Sequence, residues 1–138
     1  MNPMPKLIFP ALLLAGLHCA LSGCAGVVAG GVAAVVVTQE MMDNNTYVSH
    51  VNLDVSQVWP TVKVFLAEQS LELIEADDQA RVATAEIDDA KVSVAVEAWD
   101  LDKSVVRVAA KRYGVNDGDL ARIITERLTR RLESQSAR

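Results

Sequence analysis

The feature that most restricts this chain is an apolar run near its start, Leu7 to Leu17, followed by the small residues Ser22 and Gly23 directly before Cys24. A short hydrophobic run with a narrow, small-residue end is the pattern of an export signal that a peptidase removes, not of a segment that joins a folded core. Lys6 is the only charge ahead of the run, so its basic flank is thin. A cut before Cys24 leaves about 115 residues to fold, the size of one ordinary domain. It removes one Lys and no acid, making the formal charge of −5 one unit more negative.

Leu21-Ser22-Gly23-Cys24 resembles a bacterial lipoprotein signal, which implies that the Cys24 thiol is diacylglycerylated, the chain is cut just before it and the new amine is acylated. Cys19, preceded by Gly16-Leu17-His18, does not match the pattern and leaves with residues 1–23. The competing reading is a chance Cys after an ordinary signal. Each buried methylene contributes about 0.8 kcal/mol and one chain alone binds marginally, so two or more acyl chains suffice for an anchor. With Cys24 acylated no thiol remains, disulfides are excluded, and the fold must hold by its core.

The acidic balance argues against a nucleic-acid partner, which would call for a basic face, and against broad electrostatic adhesion to anionic lipid. Residues 25–37 are a second apolar run rich in Gly, Ala and Val. As a helix they would reach roughly 20 Å, short of a hydrocarbon core of about 30 Å. Gly26 and Gly30 stand at the spacing that lets helices pack closely. The plainer reading, an apolar tether at the lipid interface over residues 24–45, is preferred because such composition produces that spacing by chance. A third reading joins Leu7 to Val37 into one uncleaved anchor, but His18 and the small-residue break oppose it. Residues 39–46 end in turn formers and read as linker.

From residue 46 the pattern becomes that of a folded domain ending near residue 133. Tyr47, Ser49, Val51 and Leu53 alternate with Val48, His50 and Asn52, the two-residue period of a strand. Val55, Val58, Trp59, Val62, Phe65 and Leu66 then form one broad helical face, predicting a helix over 55–69 with some distortion at Pro60. A cap at Ser56 would put Pro60 near the first turn, whereas a cap at Asp54 would put it deeper. Four short strands follow, Leu71 to Ala76, Arg81 to Ile87, Lys91 to Trp99 and Ser104 to Lys111, separated by acidic turns too short for crossovers. Asp117-Gly118-Asp119 opens a last helix striped by Leu120, Ile123, Ile124, Leu128 and Leu132, with fraying expected over 134–138.

The order strand, helix, four strands, helix predicts an α+β fold: a five-stranded antiparallel sheet with both helices on one face. The other face carries smaller residues and Trp99, a candidate contact surface or simply a half-covered sheet edge. Arg122, Arg127, Arg130 and Arg131, with Lys111 and Arg112 upstream, are a candidate basic surface for an anionic envelope polymer or lipid headgroup, but a solvated helix face is the preferred account.

Candidate chemistry is sparse. His50 is the only histidine after Cys24 and has no Ser or Cys partner nearby, so neither a triad nor a zinc site with several His or Cys ligands can be assembled. The pairs Asp77/Asp78, Asp88/Asp89, Asp100/Asp102 and Asp117/Asp119 lack the loop pattern of a calcium site and suit turns. No catalytic residue, metal or cofactor is expected.

From about Cys24 to Leu128 the chain resembles the small bacterial lipoproteins catalogued as domain of unknown function 3568. The resemblance is carried by Cys24 with its Gly/Ala-rich sequel, Asn52-Leu53-Asp54-Val55-Ser56-Gln57-Val58-Trp59, Leu71-Glu72-Leu73, and Ser104-Val105-Val106-Arg107-Val108 before a Gly-Asp step. That step is usually compact in the family, whereas here Val115-Asn116-Asp117 separate Gly114 from Gly118-Asp119, predicting a longer loop. The resemblance implies an envelope lipoprotein with an α+β domain and no assigned activity. For a Gram-negative source, Ala25 in place of the retention-signalling Asp points to the periplasmic face of the outer membrane. The expected function is a non-enzymatic interaction or scaffold module held by lipid on Cys24, with Trp99, Arg127, Arg130 and Arg131 as the candidate surface for an envelope protein partner. The alternative is a ligand or lipid carrier with a pocket between sheet and helices. Partner identity and oligomeric state stay open at this point.

Overall fold

Alternation along two long strands decides the architecture. The computed structural model describes residues 36–42 and 45–137. The expected signal peptide, Cys24 and the expected tether as far as residue 35 lie outside the described residues. The elements run β1 (Val36–Met42), β2 (Thr46–Val51), α1 (Val55–Gln69), β3 (Glu75–Asp77), β4 (Val82–Ile87), β5 (Ala90–Asp100), β6 (Lys103–Arg112), β7 (Val115–Asn116) and α2 (Gly118–Ser136).

Val92, Val94 and Val96 on β5 face Ala110, Val108 and Val106 on β6, and all six are buried. Ala83, Ala85 and Ile87 of β4 and Val51 of β2 join the same core. The helices close over this face with Val58, Val62 and Leu66 from α1 and Ala121, Ile124, Leu128 and Leu132 from α2. Each large aliphatic side chain so buried contributes roughly 1.5–3 kcal/mol. The fold is thus α+β, an antiparallel sheet with both helices on one face.

The sheet has seven strands, not the expected five, in the order β1-β2-β6-β5-β4-β3, with β7 also on β6. The first addition is β1: residues 36–42, expected as tether and linker, pair antiparallel with β2 from Val36↔Val51 to Met42↔Thr46. Residues 36–42 read Val-Val-Thr-Gln-Glu-Met-Met, with no two-residue alternation to mark a strand. The second is β7, formed within the longer loop expected between Gly114 and Gly118. A two-residue turn through Tyr113 (φ 51°) and Gly114 (φ 82°) folds Val115 and Asn116 back on Arg112 and Lys111. Gly relieves the strain of a left-handed backbone there.

Other boundaries move for local reasons. The strand expected from Leu71 narrows to Glu75–Asp77, leaving Leu71 and Leu73 fully exposed and only Ile74 packed on the core. Helix α1 occupies 55–69 as expected. Its N-cap is Asp54, whose carboxylate accepts from Ser56 N at 2.7 Å, so Pro60 lies inside the helix and has no N–H to offer the Ser56 carbonyl. Helix α2 continues through Ser136, past the expected fraying point, as the hydroxyls of Ser134 and Ser136 donate back to Arg131 O and Glu133 O. Gly118 opens α2 because a Cβ there would come within 2.9 Å of Asn45.

The acidic pairs build turns. Asp88 and Asp89 both take positive φ in the two-residue β4–β5 turn, Asp77 accepts from Gln79 N and Ala80 N, and Asp117 caps α2 through Leu120 N. Asp78 does more. Its carboxylate accepts from Trp59 Nε1 and from Lys63 Nζ, each at 2.7 Å, tying α1 to the β3–β4 turn, while the Lys63 ammonium sits 5.3 Å from the Trp59 ring centre.

Two outcomes follow. Truncating Ile124→Ala, buried at the centre of α2, should cost about 2–5 kcal/mol in urea unfolding, whereas Val64→Ala, half exposed on α1, should cost less than about 1 kcal/mol. The hydrogen bond from Lys63, then that from Trp59, holds the Asp78 carboxyl below its ordinary value of 3.8. A depressed acid stabilises the fold fully above that ordinary value, and the contribution is lost as the pH falls through the depressed one. Asp78→Asn should therefore be less stable than wild type at pH 7, with the difference closing below 3.8.

Candidate functional site

Strand register brings together side chains that the sequence keeps far apart. His50 on β2 lies opposite Val105 on β6, which lies opposite Glu97 on β5, all on the face away from the helices. The β5–β6 register then shifts: Ala98 pairs with Ser104 but Asp100 with Lys103, leaving Trp99 as an extra residue without a partner. A bulge of this kind bends its strand and re-aims the side chain. The Trp99 ring meets the His50 ring at a centroid distance of 4.1 Å and a tilt of 59°. Trp99 is thus neither on an edge strand nor isolated: β5 is interior to the sheet, and the indole lies at its end against an imidazole.

These rings help to line a hollow of about 770 Å³ at the end of the sheet. His50, Val51 and Asn52 supply one side, and Trp99, Asp100, Asp102 and Lys103 of the β5–β6 hairpin supply the other. Asp100 closes the hairpin by accepting from Leu101 N at 2.8 Å, and Ser104 Oγ donates to Leu53 O at 2.7 Å, fastening the hairpin to the chain that leads into α1. The lining offers an indole, an imidazole, an ammonium, an amide and two carboxylates, with no hydroxyl or thiol nucleophile. His50 Nδ1 is enclosed and lacks a hydrogen-bond partner among the described residues. The described residues include no group of three His, Cys, Asp or Glu side chains placed to hold a metal ion.

The arginines lie elsewhere. Arg127 Nη1 donates to Gln69 Oε1 at 3.1 Å and Arg131 Nη2 to Glu68 Oε1 at 3.0 Å, so both tie α2 to the last turn of α1. Arg130 Nε donates at 3.3 Å to Glu126 O, within its own helix. Arg122 pairs with Glu126, which raises its already high pKa, and Arg112 pairs with Asp117. A shallow hollow of about 500 Å³ follows this seam, between Phe65, Glu68 and Gln69 on α1 and Arg127, Arg130 and Arg131 on α2. The candidate surface therefore separates in two: Trp99 at the end of the sheet, and the three arginines on the helix layer, two of them joined to polar groups of α1. Cys24 lies outside the described residues.

The space where a carrier pocket was considered, between sheet and helices, is occupied by Val62, Phe65, Leu66, Ile124 and Leu128, all buried. Neither hollow opens there. Sequence reasoning singled out His50 and Trp99 separately and missed their contact, as it missed Asp78 as a clasp and the Thr61–Gln135 bond between the helices. The alternation of β2, β5 and β6 is visible in the sequence, but that β2 lies beside β6 is not.

The family model described as "Protein of unknown function (DUF3568)" covers residues 7–131, about nine-tenths of the chain. No curated protein matches.

The ring contact should be measurable. A double-mutant cycle of His50→Ala and Trp99→Ala in urea unfolding should return a coupling of about 0.5–1 kcal/mol, and a value near zero would mean the rings do not support each other in solution.

Proposed function

We propose that this chain, which belongs to the family described as "Protein of unknown function (DUF3568)", is a lipid-anchored cell-envelope protein whose domain acts as a non-enzymatic interaction or scaffold module. The observation that carries the reading is the apolar run closing on Leu21-Ser22-Gly23-Cys24. A thiol placed directly after a small-residue cleavage step is where acyl transfer and cutting would meet, and two or more chains there would hold the domain at a bilayer. Beyond Cys24 the chain has no further Cys.

The rest of the molecule supports a binding rather than a catalytic role. Many of the polar side chains are engaged in folding: Asp54 and Asp117 cap helices, Asp77 and Asp88/Asp89 make turns, Asp78 clasps Trp59 and Lys63, and Arg127 and Arg131 join the helices. His50, the one mature histidine, leans on Trp99 with one nitrogen enclosed. Exposed surface is available to a partner: Trp99 and Leu101 at one end of the sheet, Tyr113 and Val115 at the other, Leu71 and Leu73 ahead of β3, and the arginine seam on the helices. With Ala25 after the Cys and a Gram-negative source, the site of action is the periplasmic face of the outer membrane, and the partner is another envelope protein.

Cys24→Ala should move the protein from the membrane to the soluble fraction with its unfolding midpoint unchanged, read by fractionation and urea denaturation. A variant that stays membrane-bound would refute the anchor. Crosslinking in intact cells followed by mass spectrometry should capture a specific envelope complex with the wild-type protein.

A further inference from the structure

We propose that the tip of the β5–β6 hairpin, Trp99 and Leu101 with Lys103, seats on the headgroup layer of the same membrane that holds Cys24. The inference rests on the lipid-anchor reading and adds an orientation to it. Its first support is register. Val36 pairs with Val51, Val51 with Ser104, and Ser104 with Ala98, so the first described strand begins on the row of the sheet from which Trp99 to Lys103 project. Three strand spacings, roughly 14 Å, separate Val36 from Ala98 along that row. The chain coming from Cys24 therefore joins the sheet at the end that carries the hairpin tip.

The second support is exposure of the right kind. Trp99 is 61% exposed and Leu101 91% exposed. An indole combines an apolar body with an N–H donor, the combination favoured at the boundary of hydrocarbon and headgroups, and a neighbouring Leu adds apolar area without a polar cost. The His50 ring at 4.1 Å backs the indole from the sheet side. Charge does not drive the contact, because Asp100 and Asp102 outweigh Lys103 at the tip. The surface it suits is accordingly a zwitterionic interface, with the Lys103 ammonium placed to meet lipid phosphate.

The third support is tethering. Twelve peptide steps separate Cys24 from Val36, and whatever their arrangement they reach no farther than about 40 Å. Confinement to that radius corresponds to an effective concentration of millimolar order, so the weak affinity of two apolar side chains is enough to bias orientation. Exposure alone would not select this end, for Tyr113 and Val115 are 88% and 70% exposed at the β6–β7 turn. They follow Arg112, roughly 30 Å along β6 from Lys103, at the end away from Val36. In this orientation they face away from the bilayer.

The test uses the acylated full chain in phosphatidylcholine vesicles whose lipids carry bromine high on the acyl chains. In a Trp59→Phe protein the remaining indole is Trp99. Its emission should shift to the blue and fall relative to unbrominated vesicles, Leu101→Asp should abolish both changes, and Tyr113→Asp should leave them intact. Should Trp59→Phe not fold, comparing wild type with Leu101→Asp reads the same contact, since Trp59 is 7% exposed and shielded. Acylated, vesicle-bound protein whose Trp99 emission is the same in both vesicle types would overturn the orientation and leave the anchor standing. A chain with no acyl mass that fails to float with vesicles would overturn both.

Discussion

Covering one face of the sheet with both helices is the constraint on which the rest of the structure depends. β5 and β6 each carry a small or β-branched aliphatic residue at every second position on the helix side, and both helices bring their apolar stripes to that side. A shift of one residue in either strand would turn the whole row toward water, so the hydrophobic effect sets register as well as shape. Once register is set, every residue on the opposite face has its position. His50, Val105 and Glu97 fall in one line, and the bulge at Trp99 follows from where the hairpin must turn.

That dependence explains how a chain with so few reactive groups still builds distinct surfaces. Polar side chains near the helices are consumed by capping and bridging: Asp54 and Asp117 satisfy helix amides, Thr61 reaches Gln135, and Glu68 and Gln69 hold Arg131 and Arg127. Such exposed pairs contribute little each, but they hold the arginines along the helix seam instead of offering a free basic face. The ends of the strands are different. There the chain turns, the pairing stops, and large apolar side chains such as Trp99, Leu101, Tyr113 and Val115 stand in solvent because no core neighbour remains to cover them.

Much of the fold was legible in the residues. The stripe Val55, Val58, Trp59, Val62, Phe65, Leu66 marked α1 to its observed limits, and the alternations around Val94 and Val108 marked β5 and β6 within a residue or two. What was not legible is equally specific. β1 has no side-chain period to announce it, since Val-Val-Thr-Gln-Glu-Met-Met does not alternate, and only its pairing with β2 reveals it. β7 is two residues long and exists because a left-handed turn at Tyr113 and Gly114 doubles the chain back. Leu71 and Leu73 looked like the alternation of a strand, yet they precede the point where an edge strand first finds a neighbour in β4. The candidate surface was half legible: Trp99 and the arginines were singled out by type, whereas their separation onto different layers was not.

Local pattern, then, determined the class of structure, the identity of the core and the place of Cys24 directly after an apolar run and two small residues, because periodicity and short-range sterics act on neighbours in the chain. Tertiary structure alone decided that β2 lies beside β6, that His50 meets Trp99, that Asp78 clasps Trp59 and Lys63, and that Val36 enters the sheet at the end bearing the β5–β6 hairpin. These are contacts between residues tens of positions apart. They are fixed by which closed packing of the whole sheet leaves the least apolar surface in water, a quantity that no single stretch of sequence contains.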